Sequence, residues 1–319
     1  MPDAEGTRVT PVEENPAIQA GGFDLVEVGC DLCGAHDRET VLAKRGAAID
    51  HVFTIVRCRR CSLIYVSPRV ADHDIPRLYD AAYYEGRGFD RTIAYAQQAR
   101  EAGMSPENEA ALETLSALID LAGARTLDVG CGNGKLVTAL AERGARAGGV
   151  ESSDAGRAIC AARGLDVIAP DVFDRALDGE RFDAITAIEV IEHLPSPTQF
   201  FQRIRSLLKP GGALFLTTGN WNLVRREAGT PYVMPEGHII YFTPATMRAY
   251  LAKTGFVEET RTFSRHWFPW RRLPRVIRVR LELPARVASR LARRFAPGFA
   301  AFPIGRRPLD DHAAPNERP

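Results

Sequence analysis

Thr126-Leu127-Asp128-Val129-Gly130-Cys131-Gly132-Asn133-Gly134 is the stretch on which the reading of the fold turns. A short strand-like run meets three glycines on alternate positions, and helical apolar spacing follows from Lys135. Glycine permits the sharp strand-to-helix turn and lets a ligand approach the amides at the helix N-terminus. Because several kinds of nucleotide-binding sheet share Gly-x-Gly, the neighbouring positions decide. A dinucleotide fingerprint has its third glycine where this chain has Lys135. Asp128 adds a carboxylate beside the turn, which suits a cationic ligand and disfavours a pyrophosphate.

Outward from this turn, short apolar runs alternate with helical patterns between residues 124 and about 263, as in stacked βαβ units. Strands are expected near 125–129, 146–150, 166–168, 182–188 and 213–218, with a sixth near 256–263. Helices are expected near 135–143, 155–163, 197–208 and 244–254. The fold class is α/β, a doubly wound and mostly parallel sheet. Glu151 ends the second strand, where a carboxylate can accept from two ribose hydroxyls. After the third, Asp171 is placed to accept from an adenine amino group, with Val172 and Phe173 against the ring. The fourth leads into Glu189-Val190-Ile191-Glu192-His193-Leu194, and Lys209-Pro210-Gly211-Gly212 reads as a turn launching the fifth.

This set of motifs resembles the class I S-adenosylmethionine-dependent methyltransferases over residues from about 110 to 263. The resemblance implies a Rossmann-like methyltransferase fold and S-adenosyl-L-methionine as cofactor. It assigns Asp128, Gly130 and Gly132 to the methionine part, Glu151 to the ribose, and Asp171 with Val172 to the adenine. Glu189 borders the same site, and Tyr84 is expected over its entrance with Tyr83. The family's antiparallel last strand has no visible counterpart after Phe263.

Cys30-Asp31-Leu32-Cys33 and Cys58-Arg59-Arg60-Cys61 form two Cys-x-x-Cys pairs. Four thiolates fill the tetrahedral shell of Zn²⁺ and leave no open position, so a structural zinc is expected at Cys30, Cys33, Cys58 and Cys61. A single iron on the same ligands comes next, then disulfides or free thiols. Cys131 and Cys160 read as core or turn residues. The run from Val56 to Tyr65, then Pro68-Arg69 and Tyr79 to Tyr84, is similar to the ribbons that precede the cofactor domain in bacterial methyltransferases of polysaccharide and natural-product pathways. Sugar C-methyltransferases are one such group.

Chemistry is expected from side chains after the fourth and fifth strands: Glu189, Glu192, His193 and the later His238. In one reading His193 or His238 is a general base for a hydroxyl acceptor. In another, Glu189, Glu192, His193 and His238 hold a divalent metal that lowers the acceptor's pKa. That second reading follows from similarity to ubiquinone-pathway and small-RNA 2′-O-methyltransferases. A third has Glu192 and His193 only bracing the loop. Trp221 is a candidate for the acceptor pocket.

The remaining sequence sets the surroundings. Residues 1–22 read as a disordered tail with neither a signal peptide nor a membrane span, 23–70 as the ribbon, and 71–122 as a helical lead-in and cofactor lid. The cofactor domain spans 123–263, and 264–319 reads as a basic helical segment and tail. Thirteen arginines and one acid, Glu282, lie between Arg261 and Arg307, suited to peripheral contact with an anionic membrane or to a solvated helix face. A net charge of +1 argues neither for nor against a polyanionic partner, and with no base-stacking motif to support it nucleic acid is not expected. The expected protein is cytoplasmic. It transfers a methyl group to a small-molecule, sugar or lipid-linked acceptor, at oxygen first and at carbon of a nucleotide-linked deoxysugar second. The rivals are a nicotinamide oxidoreductase, disfavoured by Lys135 and Asp128, and a nucleic-acid-binding or scaffold protein on a disused cofactor fold.

Overall fold

The computed structural model describes residues 18–90, 95–99, 103–222, 232–259, 299–301 and 304–308. Two small antiparallel sheets come first. One joins β1 (Ile18–Ala20), β2 (Phe23–Val26) and β6 (Arg69–Val70). The other contains β3 (Arg38–Arg45), β4 (Val52–Cys58) and β5 (Ile64–Val66). A lead-in follows, with a 3-10 turn Ile75–Tyr79, α1 (Ala81–Tyr84), α2 (Tyr95–Gln98) and α3 (Pro106–Leu118).

The main sheet then builds from β7 (Arg125–Val129), α4 (Lys135–Glu142), β8 (Arg146–Val150), α5 (Asp154–Ala162) and β9 (Val167–Ala169). After it come β10 (Phe182–Ile188), α6 (Pro197–Leu207) and β11 (Leu208–Gly219). These five strands run parallel in the order β9-β8-β7-β10-β11. β7 and β10 are largely buried because helices cover both faces, the usual condition of a parallel sheet. The helices start where their caps dictate. Ser105 and Ser196 accept from Asn108 N and Gln199 N, and each is followed by a proline, which has no N–H in need of an acceptor.

The Lys209-Pro210-Gly211-Gly212 turn lies inside β11 rather than ahead of it. Phe182 pairs with Leu208, but Ala184 pairs with Ala213, so the extra residues bulge out of the ladder. Gly211 takes φ of 77° there. The chain closes with β12 (Ile240–Tyr241), α7 (Pro244–Lys253), β13 (Val257–Glu259), β14 (Phe299–Ala301) and β15 (Ile304–Arg306).

Two findings depart from expectation. Residues 299–301 and 304–306 are strands, not helix: β14 and β15 run antiparallel to β11, and β15 inserts between β11 and β13. This is the antiparallel strand that the sequence did not reveal after Phe263. Its three-residue pieces carry too little alternation to stand out. Secondly, β12 pairs with β5, so the cysteine-bearing sheet takes a strand from beyond β11. The cysteine module and cofactor domain share one core, in which Cys58 and Leu63 pack with Phe200, Phe201 and Phe242. The tail expected over 1–22 includes a strand instead, since Ile18–Ala20 pairs with β2, while residues 1–17 and the part of the basic segment (264–319) up to 298 lie outside the described residues. Among those described, no helix is long and apolar enough to cross a membrane.

Phe201 is fully buried, with the rings of Phe200, Tyr250 and Phe256 at 5.9, 5.9 and 6.0 Å. Phe201→Ala is expected to cost about 3–5 kcal/mol, read from the urea midpoint at unchanged slope. A cost under about 1 kcal/mol would mean that this core collapses freely around the gap.

Candidate active site

β7 ends at the turn around residues 130–134, where Gly130 and Gly132 take φ of 71° and 54°. A Cβ on Gly130 would stand 2.5 Å from Val190 Cγ2, so the turn packs directly on the loop that follows β10. Asp128 is buried at the end of β7 and accepts from Thr186 Oγ1 at 2.6 Å. Burial, opposed by that hydrogen bond and reinforced by the Glu151 charge, pushes its carboxyl up to about 7. Thr186 had no signal in the sequence beyond its place in the neighbouring strand.

Glu151 sits at the end of β8, where its carboxylate accepts three hydrogen bonds and keeps acceptor capacity on Oε2. Oε1 accepts from Tyr84 Oη at 2.8 Å and Ser153 N at 2.9 Å, and Oε2 accepts from Gly132 N at 2.8 Å. The ribose candidate, the glycine turn and the lead-in helix α1 are thereby tied together. Tyr83, beside Tyr84, stacks on Phe89 with ring centroids 5.0 Å apart. Past β9, Asp171 is exposed and accepts from Phe173 N at 2.7 Å, while Val172 is buried in the core. These residues fit S-adenosylmethionine: a buried carboxylate for a cationic amino acid, a second on the next strand for a diol, and an acidic-apolar pair beyond it for a purine.

The loop after β10 begins at Glu189, held at φ of 52°, with its N–H donating to Thr217 O at 3.1 Å. Glu189 Oε1 and both carboxyl oxygens of Glu192 are buried without a hydrogen-bond partner among the described residues. Burial pushes Glu189 up to about 7 and Glu192 well above the ordinary carboxylate range, the latter aided by the Glu189 charge. His193 and His238 face each other with ring centroids 4.7 Å apart. His193 Nδ1 donates to Gly237 O at 3.0 Å, and His238 Nδ1 donates to Tyr232 O at 2.8 Å. That fixes Nδ1 as the N–H of each ring and leaves Nε2 with its lone pair. Burial pulls His193 down to about 4 and His238 well below its usual value. Glu192, His193 and His238 each offer a ligand atom within 4.8 Å of the others. Trp221 is buried, 5.1 Å from the Tyr241 ring.

The sulfur atoms of Cys30, Cys33, Cys58 and Cys61 lie within 4.8 Å of one another, with Cys30 to Cys61 at 3.3 Å and Cys33 to Cys58 at 3.5 Å. Tetrahedral zinc thiolates stand about 3.8 Å apart at a Zn–S distance near 2.3 Å, so the cluster fits zinc. Burial raises the Cys30 thiol and pushes Cys61 up to about 11, a penalty that a bound dication reverses. Cys131 and Cys160 are buried with sulfurs 3.9 Å apart.

A doubly wound sheet with this cradle at its carboxyl edge is the architecture of a Rossmann-like methyltransferase. A family model described as a methyltransferase domain matches residues 96–259, half of the chain, and the chain belongs to that family. It is similar to a ubiquinone biosynthesis O-methyltransferase of Xanthomonas oryzae pv. oryzae, 40% identical over 120 residues, which are 35% of this chain and 50% of the relative. With the enzyme of that name from Xanthomonas axonopodis pv. citri it shares 34% identity over 185 residues, 53% of this chain and 77% of the other. The chain spans about half the length of several curated relatives that it matches. A solved structure with likeness is the 1,6-didemethyltoxoflavin-N1-methyltransferase of Burkholderia thailandensis, at 18% identity and TM-score 0.49, covering 83% of this chain and 99% of that one.

Folded Asp128 holds its proton more tightly than the unfolded chain does. Its contribution to stability is therefore present below about pH 4 and lost as pH rises to about 7. Between these limits Asp128→Asn is expected to gain roughly 2–4 kcal/mol relative to the wild type in denaturant melts. Its affinity for S-adenosylmethionine should fall. A difference that stays flat with pH would show the carboxyl to be solvated.

Proposed function

We propose that this chain transfers a methyl group from S-adenosylmethionine to an oxygen of a small-molecule acceptor, activated beside Glu189, Glu192, His193 and His238. One observation carries the choice of site: His193, half-buried, and His238, buried, each commit Nδ1 to a backbone carbonyl, and neither carboxyl oxygen of the adjacent Glu192 has a hydrogen-bond partner among the described residues. Both rings are held neutral and are weak bases near pH 7, which favours ligation over general-base work by histidine. A divalent cation held by Glu192, His193 and His238, a group that does not include Glu189, would lower the pKa of an acceptor hydroxyl. S-adenosylmethionine supplies an electrophilic methyl on a positively charged sulfur.

The protein's own residues do the rest. Asp128 and the turn at 130–134 orient the cofactor's amino-acid end, and Glu151 holds the ribose, with Asp171 and Val172 at the adenine. Glu189, poised near neutrality at the end of β10, is suited to hold the acceptor's proton at Oε1. Tyr79 and Phe89 stand edge-on to His193 at 5.7 and 6.3 Å and, with Tyr83, form an aromatic wall that suits a flat acceptor. The relatives named for ubiquinone biosynthesis support oxygen as the acceptor atom.

Titration with S-adenosylhomocysteine should show binding that Glu151→Ala weakens at least about tenfold through lost charged hydrogen bonds. Labelled-methyl transfer is then screened over phenols, sugars, lipid-linked alcohols and a nucleotide-linked deoxysugar. Glu192→Gln is expected to cut turnover about 100-fold without changing cofactor affinity. Full activity in chelator-treated enzyme would overturn the cation site, and absence of cofactor binding by folded protein would overturn the methyltransferase reading.

A further inference from the structure

His193 and His238 come from two different loops, and each loop is gripped by one of the Cys-x-x-Cys knuckles. Asp31, inside the first knuckle, accepts from Ser196 Oγ at 2.6 Å, Thr198 N at 2.9 Å and Thr198 Oγ1 at 2.7 Å. Ser196 is the N-cap of α6, the helix that begins just after the His193 loop. Its own hydroxyl already accepts from Gln199 N at 3.3 Å. Asp31 therefore adds an anion over the positive end of a helix in another part of the fold. Lys253 Nζ, at the end of α7, closes the contact by donating to Asp31 O at 3.1 Å, Leu32 O at 3.0 Å and Thr198 Oγ1 at 3.1 Å.

The second knuckle reaches the other loop through backbone. Cys58 N donates to Leu63 O at 2.8 Å, and β5 then pairs Tyr65 with Ile240 and Ile64 with Tyr241. Val66 N donates to Ile239 O, and Ile239 N donates to Glu192 O, both at 2.9 Å. The His238 loop is thus held from β5, and the residues that follow His193 are held from Asp31 at Ser196 and Thr198. The loops also touch directly, through His193 Nδ1 and Gly237 O. The knuckles converge on the cluster of four sulfurs.

We propose that Asp31 is a positioning residue for His193, and that the four-cysteine cluster is a clamp setting the separation of the two imidazoles. This rests on the reading of His193 and His238 as the acceptor-activating pair. A rigid joint between the knuckles keeps Nε2 of both rings and the Glu192 carboxyl convergent. If α6 lost its anion cap, the His193 loop would move relative to His238 while the turn at 130–134 stayed in place.

The test uses the full, zinc-loaded chain as Asp31→Ala and Asp31→Asn, with Mn²⁺ alone as the probe of the histidine site. Long-range proton–nitrogen spectra of labelled histidine report directly which nitrogen of His193 is protonated. Asp31→Ala should keep its zinc and its S-adenosylhomocysteine affinity. It should lose the fixed Nδ1–H form of His193 and bind Mn²⁺ about 10- to 100-fold more weakly, the range for lost outer-shell support. Asp31→Asn, which can still accept from Thr198, should restore most of both. An unchanged His193 spectrum in Asp31→Ala overturns the proposal, as does loss of its zinc, which would make Asp31 a part of the ribbon alone. A wild type that binds no Mn²⁺ sinks the cation reading by itself, and the histidine spectrum still decides the role of Asp31.

Discussion

β7 and β10 are neighbours in the sheet, yet the chain leaves their carboxyl ends toward opposite edges, β7 toward β8 and β10 toward β11. Neither crossover can cover the gap, so a crevice opens where the direction of winding reverses. The candidate site residues gather along that opening. Asp128 and the glycine turn come from β7, Glu151 from the adjacent β8, and Glu189, Glu192 and His193 from β10. The constraint reaches the backbone as well. Glu189 occupies a left-handed conformation at φ of 52°, uncommon for a residue with a side chain and tolerated where its surroundings fix it.

That crevice is electrostatically costly. Asp128, Glu189 and Glu192 all have carboxyls raised by burial, and His193 and His238 have imidazoles depressed by it. The two groups oppose each other in their effect on stability. The carboxyls weaken the fold as pH rises through their titration, whereas the histidines weaken it as pH falls toward theirs. A bound cation, whether organic or metallic, removes the penalty on the carboxylates. The surrounding scaffold carries the remainder through its core, from Phe182 and Phe200 to Tyr250, and through the joint between the cysteine knuckles and α6.

How much of this was legible in the sequence depended on how local each signal was. The glycine turn, Asp128, Glu151 and both cysteine pairs are short-range patterns, and they could be read without a partner. The helices at 135–142, 197–207 and 244–253 fall where helical patterns alternate with the short apolar runs. What escaped was relational. Thr186 matters because it lies across from Asp128 in the next strand, and Asp31 because it reaches a helix far along the chain. The pairing of β5 with β12 has no local signature, since two-residue strands are defined only by what they meet. β15 was hidden for the same reason, and the arginine-rich composition around it pointed toward a helix.

Placing β15 between β11 and β13 also has a temporal meaning. During synthesis, β11 and β13 leave the ribosome well before residue 304 exists, and neither can take its final neighbour until then. The nascent domain therefore passes through a stage with an open, apolar strand edge on β11, the arrangement most prone to pairing with another chain. Closing that gap joins segments distant in sequence, which makes it a slow step of high contact order. The cofactor crevice lies on strands that are already complete at that stage, so the ligand site can form before the sheet that supports it is closed.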